Sequence, residues 1–341
     1  MKVLITGAEG YIGASLAPFL LERGYDVLGL DTGFYREGWL YNNGVAQFPP
    51  CINKDIRHMT AEDVQGCDAV IHLAELSNDP LGQHTPEITY QINHVGSVAL
   101  ARLCKKVGIT RFIYTSSCSV YGVGSDDLKT EDAATNPQTA YATCKVLVER
   151  DVSAMADDDF SPTFLRNATA YGPSPRMRFD IVLNNLAGLA WTTREIKMTS
   201  NGTPWRPLVH VLDICEAIAA VLEAPREVIH NQIFNVGSTE ENYRVRDIAH
   251  IVAETFPGCT VTLGTNDGDH RSYRVSFDKI HTHLPGFRCR RNATVGARQL
   301  HAVFERIRMS RDVFAFRAYT RLKQLEYLIT TRQIDAQFFW E

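Results

Sequence analysis

Residues 2–13 read KVLITGAEGYIG, and the rest of the fold can be predicted outward from this stretch. Its first five residues are mostly apolar, as in a buried strand, and the apolar residues after the glycines recur at helical spacing up to Leu20. A second apolar run ends at Asp31, about 20 residues beyond the glycines. The stretch therefore predicts a strand, a tight glycine turn, a helix and a second strand.

This order of elements is typical of a dinucleotide-binding site. Gly7 would permit the tight turn, Gly10 would let the backbone approach a diphosphate, and Gly13 would let the helix pack closely on the strand. Asp31 would accept the ribose hydroxyls and repel a 2′-phosphate, so we expect NAD rather than NADP as the cofactor. The alternative is a glycine turn that binds no ligand, but the strand before it, the helix after it and the acid at the end of the next strand all favour a dinucleotide site. The cofactor residues expected from this segment are Gly7, Gly10, Tyr11, Ile12, Gly13 and Asp31.

The composition of the 341 residues is that of an ordinary globular protein, with 45% hydrophobic and 22% charged residues. A net charge of −4 gives no basic footprint for nucleic acid, and no apolar run approaches the ~18 residues of a membrane span. The first strand begins at residue 2, which leaves no room for a signal peptide, so we expect a cytoplasmic protein. Scattered cysteines without a C-x-x-C pair indicate neither a metal site nor a disulfide framework.

Two later apolar runs have the length of buried strands, residues 68–74 (DAVIHLA) and 111–117 (RFIYTSS). Helical segments alternate with the strands, which predicts an α/β protein with a Rossmann-type, doubly wound parallel sheet. The first run ends in small residues that suit a chain beside the cofactor's phosphates and ribose, and Asp55, at another strand end, could reach the adenine amino group. The cofactor residues expected here are Asp55, Ile56, Leu73 and Ala74.

Tyr141 and Lys145 are four residues apart and would share one helix face. The Lys145 ammonium and an oxidised nicotinamide would favour the phenolate of Tyr141, because a phenol has a pKa of ~10 when unperturbed. Such a tyrosine can take a proton from a sugar hydroxyl while hydride leaves the same carbon. Ser117, at a strand end, could hold the other side of that oxygen. A surface helix pair is the alternative, but the dinucleotide fold favours a catalytic role.

Together these motifs resemble the extended short-chain dehydrogenase/reductases, in the branch of sugar-nucleotide epimerases and dehydratases. The resemblance runs from residue 2 to about residue 280 and rests on T-G-x-x-G-x-x-G at 6–13, Asp31, H-L-A at 72–74, Asn93-x-x-Gly96, T-S-S-C-S-V-Y-G at 115–122, and Tyr141-x-x-x-Lys145. It implies Ser117, Tyr141 and Lys145 as the catalytic set, with Tyr141, Lys145 and Asn93 as further cofactor contacts. It also suggests a homodimer through the helices around residues 90–105 and 141–155.

One departure from the family bears on the reaction. In the family's 4,6-dehydratases an Asp-Glu pair follows the catalytic Ser or Thr, whereas this chain has Cys118 and Ser119 there. Neither residue replaces a carboxylic acid, which argues for epimerisation or ketone reduction. Glu75 stands where the family usually has a small residue. Its carboxylate would either face the substrate, as a displaced acid, or accept backbone N–H groups.

The second half of the chain resembles the family's substrate-binding segments. The family's substrate-side Asn falls on Thr169, with Asn167 two residues earlier on the same side of the strand. Arg206 and Arg271, with Arg274 as the alternative to Arg271, would bind the diphosphate of a nucleotide-sugar, since a guanidinium can hold phosphate oxygens in bidentate fashion. The substrate residues expected on this resemblance are Glu75, Cys118, Ser119, Asn167, Thr169, Asn185, Leu186, Arg206 and Arg271.

We divide the chain into an NAD-binding domain (1–172, to which residues 205–240 return), a smaller mixed α/β substrate domain (173–290) and a C-terminal helical tail (291–341). These features predict an NAD-dependent sugar-nucleotide epimerase that acts at C4 of an NDP-hexose, by transient oxidation to a keto-sugar and hydride return to the opposite face. The alternatives are an NDP-4-keto-sugar reductase, which would consume reduced cofactor, an NDP-sugar dehydratase, and a dinucleotide-binding protein without catalysis.

Overall fold

The computed structural model describes residues 1–42, 44, 48–77, 85–265 and 271–341. Its strands are β1 (Lys2–Thr6), β2 (Asp26–Asp31), β3 (Cys51–Asn53), β4 (Ala69–His72), β5 (Arg111–Ser117), β6 (Val123–Lys129), β7 (Ser161–Asn167), β8 (Thr169–Tyr171), β9 (Glu195–Lys197), β10 (Trp205–His210), β11 (Gln232–Val236), β12 (Asn242–Arg244), β13 (Thr260–Thr262) and β14 (Ser272–Val275).

The α-helices are α1 (Gly13–Glu22), α2 (Ala61–Val64), α3 (Pro86–Thr89), α4 (Ser97–Lys106), α5 (Ala140–Ser153), α6 (Val182–Thr193), α7 (Val211–Glu223), α8 (Arg226–Ile229), α9 (Val245–Thr255), α10 (Asp278–His283), α11 (Ala293–Arg306), α12 (Arg311–Ala315) and α13 (Arg321–Thr330). A π-helix, Tyr90–Gly96, joins α3 to α4. Short 3₁₀ turns lie at Ile56–His58, Cys118–Tyr121, Thr239–Glu241 and Arg317–Tyr319. In the part of the chain that the structure describes, no helix is both long and apolar enough to cross a membrane.

Seven parallel strands form the central sheet, in the spatial order β11-β7-β5-β4-β1-β2-β3. The strand order reverses between β1 and β4, and ligands of doubly wound sheets bind in the crevice at the carboxyl ends of such strands. Apolar residues of α1 and α7 pack on one face of the sheet, and those of α4, α5 and α13 pack on the other. The Rossmann-type parallel sheet predicted from the alternating pattern is confirmed.

A smaller part of the molecule lies beyond the end of β7. The chain bends at Ala168, leaves the central sheet, and forms β8 in a three-stranded sheet of order β12-β10-β8. Helices α6, α9 and α11 pack around a separate apolar cluster that includes Leu183, Ile248 and Phe304. The segment 291–341 is divided between the two parts, because α11 joins this cluster whereas α13 packs against the central sheet.

Two buried histidines link elements of these sheets. Nδ1 of His72, at the end of β4, lies 2.6 Å from Thr6 Oγ1. His210 ends β10 and caps α7, because its Nδ1 accepts the Leu212 N–H at 3.1 Å, while its Nε2 lies 2.8 Å from Gln299 Oε1. Burial lowers the pKa of each imidazole from 6.5 to about 3, so both are neutral near pH 7.

We expect the protein to lose stability as the pH falls from 6.5 toward 3. In that window the unfolded chain binds protons at His72 and His210 that the folded chain excludes, so the loss approaches about 1.4 kcal/mol per pH unit for each histidine. His210→Asn keeps an oxygen that can cap α7 and removes one titrating group. Urea unfolding at pH 7.5, 6 and 5 should give a shallower pH slope for this variant, and equal slopes would contradict the assignment.

Candidate active site

A cavity of about 750 Å³ lies at the carboxyl ends of the central strands. Its walls come from the glycine turn, the ends of β2, β4, β5 and β7, the start of α5, and residues of the smaller part. Most of the predicted site residues line it: Gly7, Gly10, Tyr11, Ile12, Gly13, Asp31, Asp55, Ile56, Leu73, Ala74, Glu75, Ser117, Ser119, Tyr141, Lys145, Asn167, Thr169, Asn185, Arg206 and Arg271.

The glycine turn forms a cradle that side chains would fill. Gly7 has a φ of +75°, and a Cβ there would lie 2.8 Å from the backbone nitrogen of Ala74. A Cβ on Gly13 would lie 2.2 Å from the Gly7 carbonyl oxygen. The turn therefore brings backbone, rather than side chains, to the start of α1, where unpaired N–H groups favour a diphosphate.

The Asp31 carboxylate lies at the end of β2, beside the glycine turn. It accepts hydrogen bonds from the backbone N–H of Glu9 at 3.0 Å and of Gly33 at 2.8 Å. Burial raises the pKa of Asp31, and the Gly33 N–H opposes that rise. The two amides orient the carboxylate at the cavity wall, where it can accept ribose hydroxyls. Cradle and acid together fit a dinucleotide.

Helix α5 positions the tyrosine and the lysine. Thr139 caps the helix by accepting the Ala142 N–H at 3.2 Å, which places Tyr141 in the first turn and Lys145 one turn later. Lys145 Nζ lies 5.3 Å from the centre of the Tyr141 ring and donates to the Thr115 carbonyl. Across the cavity, β5 ends at Ser117, whose Oγ accepts the Ser119 N–H at 3.1 Å. The predicted catalytic set lines a single cavity.

Among the described residues, the Glu75 carboxylate contacts side chains and no backbone N–H group. Its Oε2 lies 2.5 Å from Lys145 Nζ, and its Oε1 accepts the Tyr114 hydroxyl at 2.5 Å. The Glu75 and Lys145 side chains are 2% and 4% exposed, so this ion pair is removed from bulk water. Burial raises the pKa of Glu75, and the Lys145 charge opposes the rise. The carboxylate thus acts on Lys145, the lysine of the predicted catalytic set.

Three predicted site residues lie behind the cavity wall. Both groups of the Asn93 amide bond the backbone of Leu76, at 2.8 and 3.1 Å, so this side chain holds the loop after β4 in place. The Cys118 thiol points into the core and contacts the Arg166 carbonyl at 3.1 Å, because the 3₁₀ turn at its position faces inward. Leu186 faces the apolar cluster of the smaller part.

Asp55 lines the cavity, but its charge is already paired. Its two oxygens bind the Arg57 side chain at 2.9 and 2.8 Å, and one of them also accepts the Arg57 N–H at 2.8 Å. The carboxylate therefore caps the 3₁₀ turn at Ile56–His58. A contact with adenine stays a prediction.

The substrate side of the cavity carries polar atoms without a protein partner. Among the described residues, Asn167 Oδ1 and Ser119 Oγ are buried and form no hydrogen bond. The register of β5 and β7 places Asn167 directly beside Ser117. The expectation that Asn167 and Thr169 lie on the same side of one strand is wrong. The chain bends at Ala168, and Thr169 begins β8. Both residues still line the cavity.

Arg206 and Arg271 meet at the far wall of the cavity. The Arg206 guanidinium donates to the carbonyl of Trp205 at 2.8 Å and to the carbonyl of Arg271. The Asn185 amide, on α6, donates to the Phe179 carbonyl at 2.8 Å. The turn that precedes Arg271, residues 266–270, lies outside the described residues.

The sequence did not single out four charged or aromatic residues that line the same cavity. Arg178 binds Asp180 through Nε and Nη2, at 2.8 and 3.1 Å, and donates to Ser77. Tyr35 and Arg321 complete the group. Arg178 and Asp180 could have been found from the sequence, because they are charged residues close to the Gly172-Pro173 pair. No local pattern marks Arg321, which comes from the C-terminal helix.

Comparison with known proteins supports this description. The sequence matches the family described as NAD dependent epimerase/dehydratase over residues 3–237. The UDP-glucose 4-epimerase of Corynebacterium glutamicum is 27% identical over 273 residues, which cover 74% of this chain and 80% of the relative. The UDP-N-acetyl-alpha-D-glucosaminuronate decarboxylase of Bacillus cytotoxicus is 25% identical over 290 residues, which cover 83% and 85%.

A solved structure is similar over almost the whole chain. MoeE5 in complex with UDP-glucuronic acid and NAD has a TM-score of 0.76 at 26% identity, and the match covers 90% of this chain and 99% of that chain. The names of these relatives include an epimerase and a decarboxylase, so they share a family rather than one reaction. NAD is the cofactor that the glycine cradle and Asp31 fit. The chain belongs to the NAD-dependent epimerase/dehydratase family of enzymes.

Proposed function

We propose that this enzyme is a sugar-nucleotide epimerase that inverts C4 of an NDP-hexose. The observation that carries the proposal is the convergence of Ser117, Tyr141 and Lys145 on one cavity, with no carboxylate at the two positions after Ser117. The acid that could have replaced them, Glu75, is buried against Lys145. This arrangement supports proton transfer at one sugar hydroxyl and gives no support to elimination of water.

The chain's own residues would handle the hydroxyl proton and hold the sugar. Tyr141 takes the C4 hydroxyl proton as general base and returns it as general acid. Ser117 Oγ already accepts a backbone N–H, so its single hydrogen is available to the sugar oxygen. Lys145 uses one N–H for Thr115 and another for Glu75, which leaves a third for a bound ligand. When bound, NAD supplies the acceptor and donor for hydride at the ring carbon.

The rest of the nucleotide-sugar would extend along the opposite wall. Asn167 Oδ1 and Ser119 Oγ offer polar atoms for sugar hydroxyls beside Ser117. Arg206 and Arg271 offer two guanidinium groups for the substrate diphosphate. For inversion, the keto-sugar must present its opposite face to the hydride donor.

Incubation with UDP-, GDP-, CDP- and dTDP-sugars in deuterated water, followed by NMR, tests the proposal. We expect an epimer to form without added cofactor and without deuterium at the inverted carbon. Deuterium beside a keto or deoxy centre would contradict the proposal in favour of a dehydratase. Turnover that requires stoichiometric NADH would contradict it in favour of a reductase.

A further inference from the structure

The last helix of the chain packs on the cofactor side of the central sheet. Helix α13 and the residues after it lie against the segment that follows β2, where Gln324 donates to the Phe34 carbonyl at 3.0 Å and Trp340 donates to the Thr32 carbonyl at 2.7 Å. Thr32 follows Asp31 directly and lines the cofactor cavity. This contact brings Arg321, the first residue of α13, to the cavity wall, although the family match ends at residue 237.

The Arg321 guanidinium is buried and, among the described residues, has no direct ion pair. The residue is 3% exposed, and its side chain stacks on Tyr35 with 3.8 Å between Cζ and the ring centre. Among the described residues its guanidinium forms no hydrogen bond or ion pair, and Nη1 is fully enclosed. The carboxylate of Asp180 binds Arg178 with both oxygens, and Oδ2 also accepts the backbone N–H of Arg321 at 3.2 Å.

A buried cation without a direct partner is unfavourable. Removal of a charge from water costs free energy unless an opposite charge or hydrogen bonds replace the hydration shell. Burial and the nearby Arg178 and Arg176 charges lower the pKa of Arg321 to about 10, although Tyr35 and Asp180 oppose the fall. The surroundings of Arg321 therefore favour an anion in the adjoining cavity.

The position of Arg321 selects the anion. Arg321 stacks on Tyr35, in the segment that follows β2 and the Asp31 carboxylate. Its backbone N–H binds Asp180, whose partner Arg178 donates to Ser77, in the segment that follows β4. Strands β2 and β4 flank β1, which leads into the glycine turn, and these segments line one cavity, so Arg321 lies on the wall near the turn that suits a diphosphate. The substrate diphosphate has its own arginines, Arg206 and Arg271, on another wall.

We propose that Arg321, delivered by the C-terminal helix, binds the diphosphate of NAD from the side opposite the glycine turn. The dinucleotide would then be held between backbone N–H groups of the turn and a guanidinium from the tail. This inference rests on the NAD dependence of the family and does not depend on which sugar reaction is catalysed.

Direct binding measurements test this role without any turnover. Cofactor-free protein is titrated with NAD, ADP, adenosine and UDP by calorimetry, for the wild type, Arg321→Gln and the control Lys323→Gln. Lys323 is an exposed residue of the same helix, so its variant carries the same charge change. We expect Arg321→Gln to weaken NAD and ADP binding by roughly 10- to 100-fold, because a charge-assisted bond to phosphate is lost. Adenosine, UDP and the control should change less than twofold.

Three outcomes would overturn the assignment. If adenosine binding falls as much as ADP binding, Arg321 only supports the fold; if UDP binding falls and NAD binding does not, the anion belongs to the substrate. Arg321→Met serves as a second variant that retains the apolar stem. Because either substitution removes a buried charge that has no direct partner, the cofactor-free variants should melt no lower than the wild type. A large drop in Tm with equal loss of every ligand would also contradict the proposal.

Discussion

Tyr141→Phe should lower kcat by about 10²- to 10⁴-fold, the usual contribution of a positioned general acid–base group. The substitution removes only the hydroxyl, and the ring keeps its place in the first turn of α5. NAD binding should therefore stay within about twofold, because the glycine cradle and Asp31 are untouched. Steady-state kinetics on the sugar found in the NMR screen, together with NAD titration, measure the two effects separately.

Tyr25→Phe provides the matched control. Tyr25 bonds Glu223 on the surface and does not line the cavity, so its variant should keep the full rate. A Tyr141→Phe enzyme with more than a tenth of the wild-type kcat would show that another group accepts the proton. Equal loss of rate and of NAD affinity would place Tyr141 in binding rather than in proton transfer.

Glu75→Gln should move the acidic limb of the kcat profile to lower pH, by about one unit. The carboxylate now compensates the Lys145 ammonium, whose Nζ is 2.5 Å from Glu75 Oε2 and 5.3 Å from the Tyr141 ring centre. With the amide in its place, the full lysine charge acts on Tyr141 and favours the phenolate. The Tyr141 phenolate, which acts as the base, then forms at a lower pH.

The other groups around Lys145 do not titrate in the same range. Burial raises the pKa of Tyr114 well above its ordinary value and that of Cys144 to about 12, and it lowers the pKa of His72 to about 3. A shift of the limb near neutral pH therefore does not come from Tyr114, Cys144 or His72. A pH–rate series in buffers of constant ionic strength measures it.

Glu149→Gln separates this effect from a general loss of stability. Glu149 also lies on α5 and forms a buried ion pair, with Arg166 at 2.7 Å, but it does not line the cavity. Breaking either buried pair should lower the free energy of unfolding by about 3 kcal/mol, measured with urea. Only Glu75→Gln should shift the limb. An unshifted limb in Glu75→Gln, or the same shift in both variants, would contradict the role of Glu75.

Local sequence was sufficient for the parts of the site that depend on backbone geometry. The glycine turn at 7–13 and the acid at the end of β2 follow from strand length and from glycine's access to positive φ, which Gly7 uses. The pairing of Tyr141 with Lys145 follows from the helical repeat. These elements are encoded by neighbours in the chain, and the structure brings them to one cavity.

Contacts between side chains that are distant in sequence could not be predicted from local patterns. The Asn93 motif predicts a contact with the cofactor, yet the π-helix turns its amide to the backbone of Leu76. Glu75 meets Lys145 only because the segment after β4 and helix α5 come together at one cavity in the folded protein. Neither partner can be read from periodicity, which reports the buried face of an element and not what it meets there.

The sequence by itself determined the class of fold, the glycine turn with its acid, and the placement of Tyr141 and Lys145 one helical turn apart, because each depends on residues a few positions apart. Only the tertiary structure decided that Cys118 faces the core, that Thr169 leaves the strand of Asn167, and that α13 returns to place Arg321 at the cofactor cavity. The physical reason is that sheet register and the docking of distant helices arise from packing of the whole chain, which no local pattern encodes.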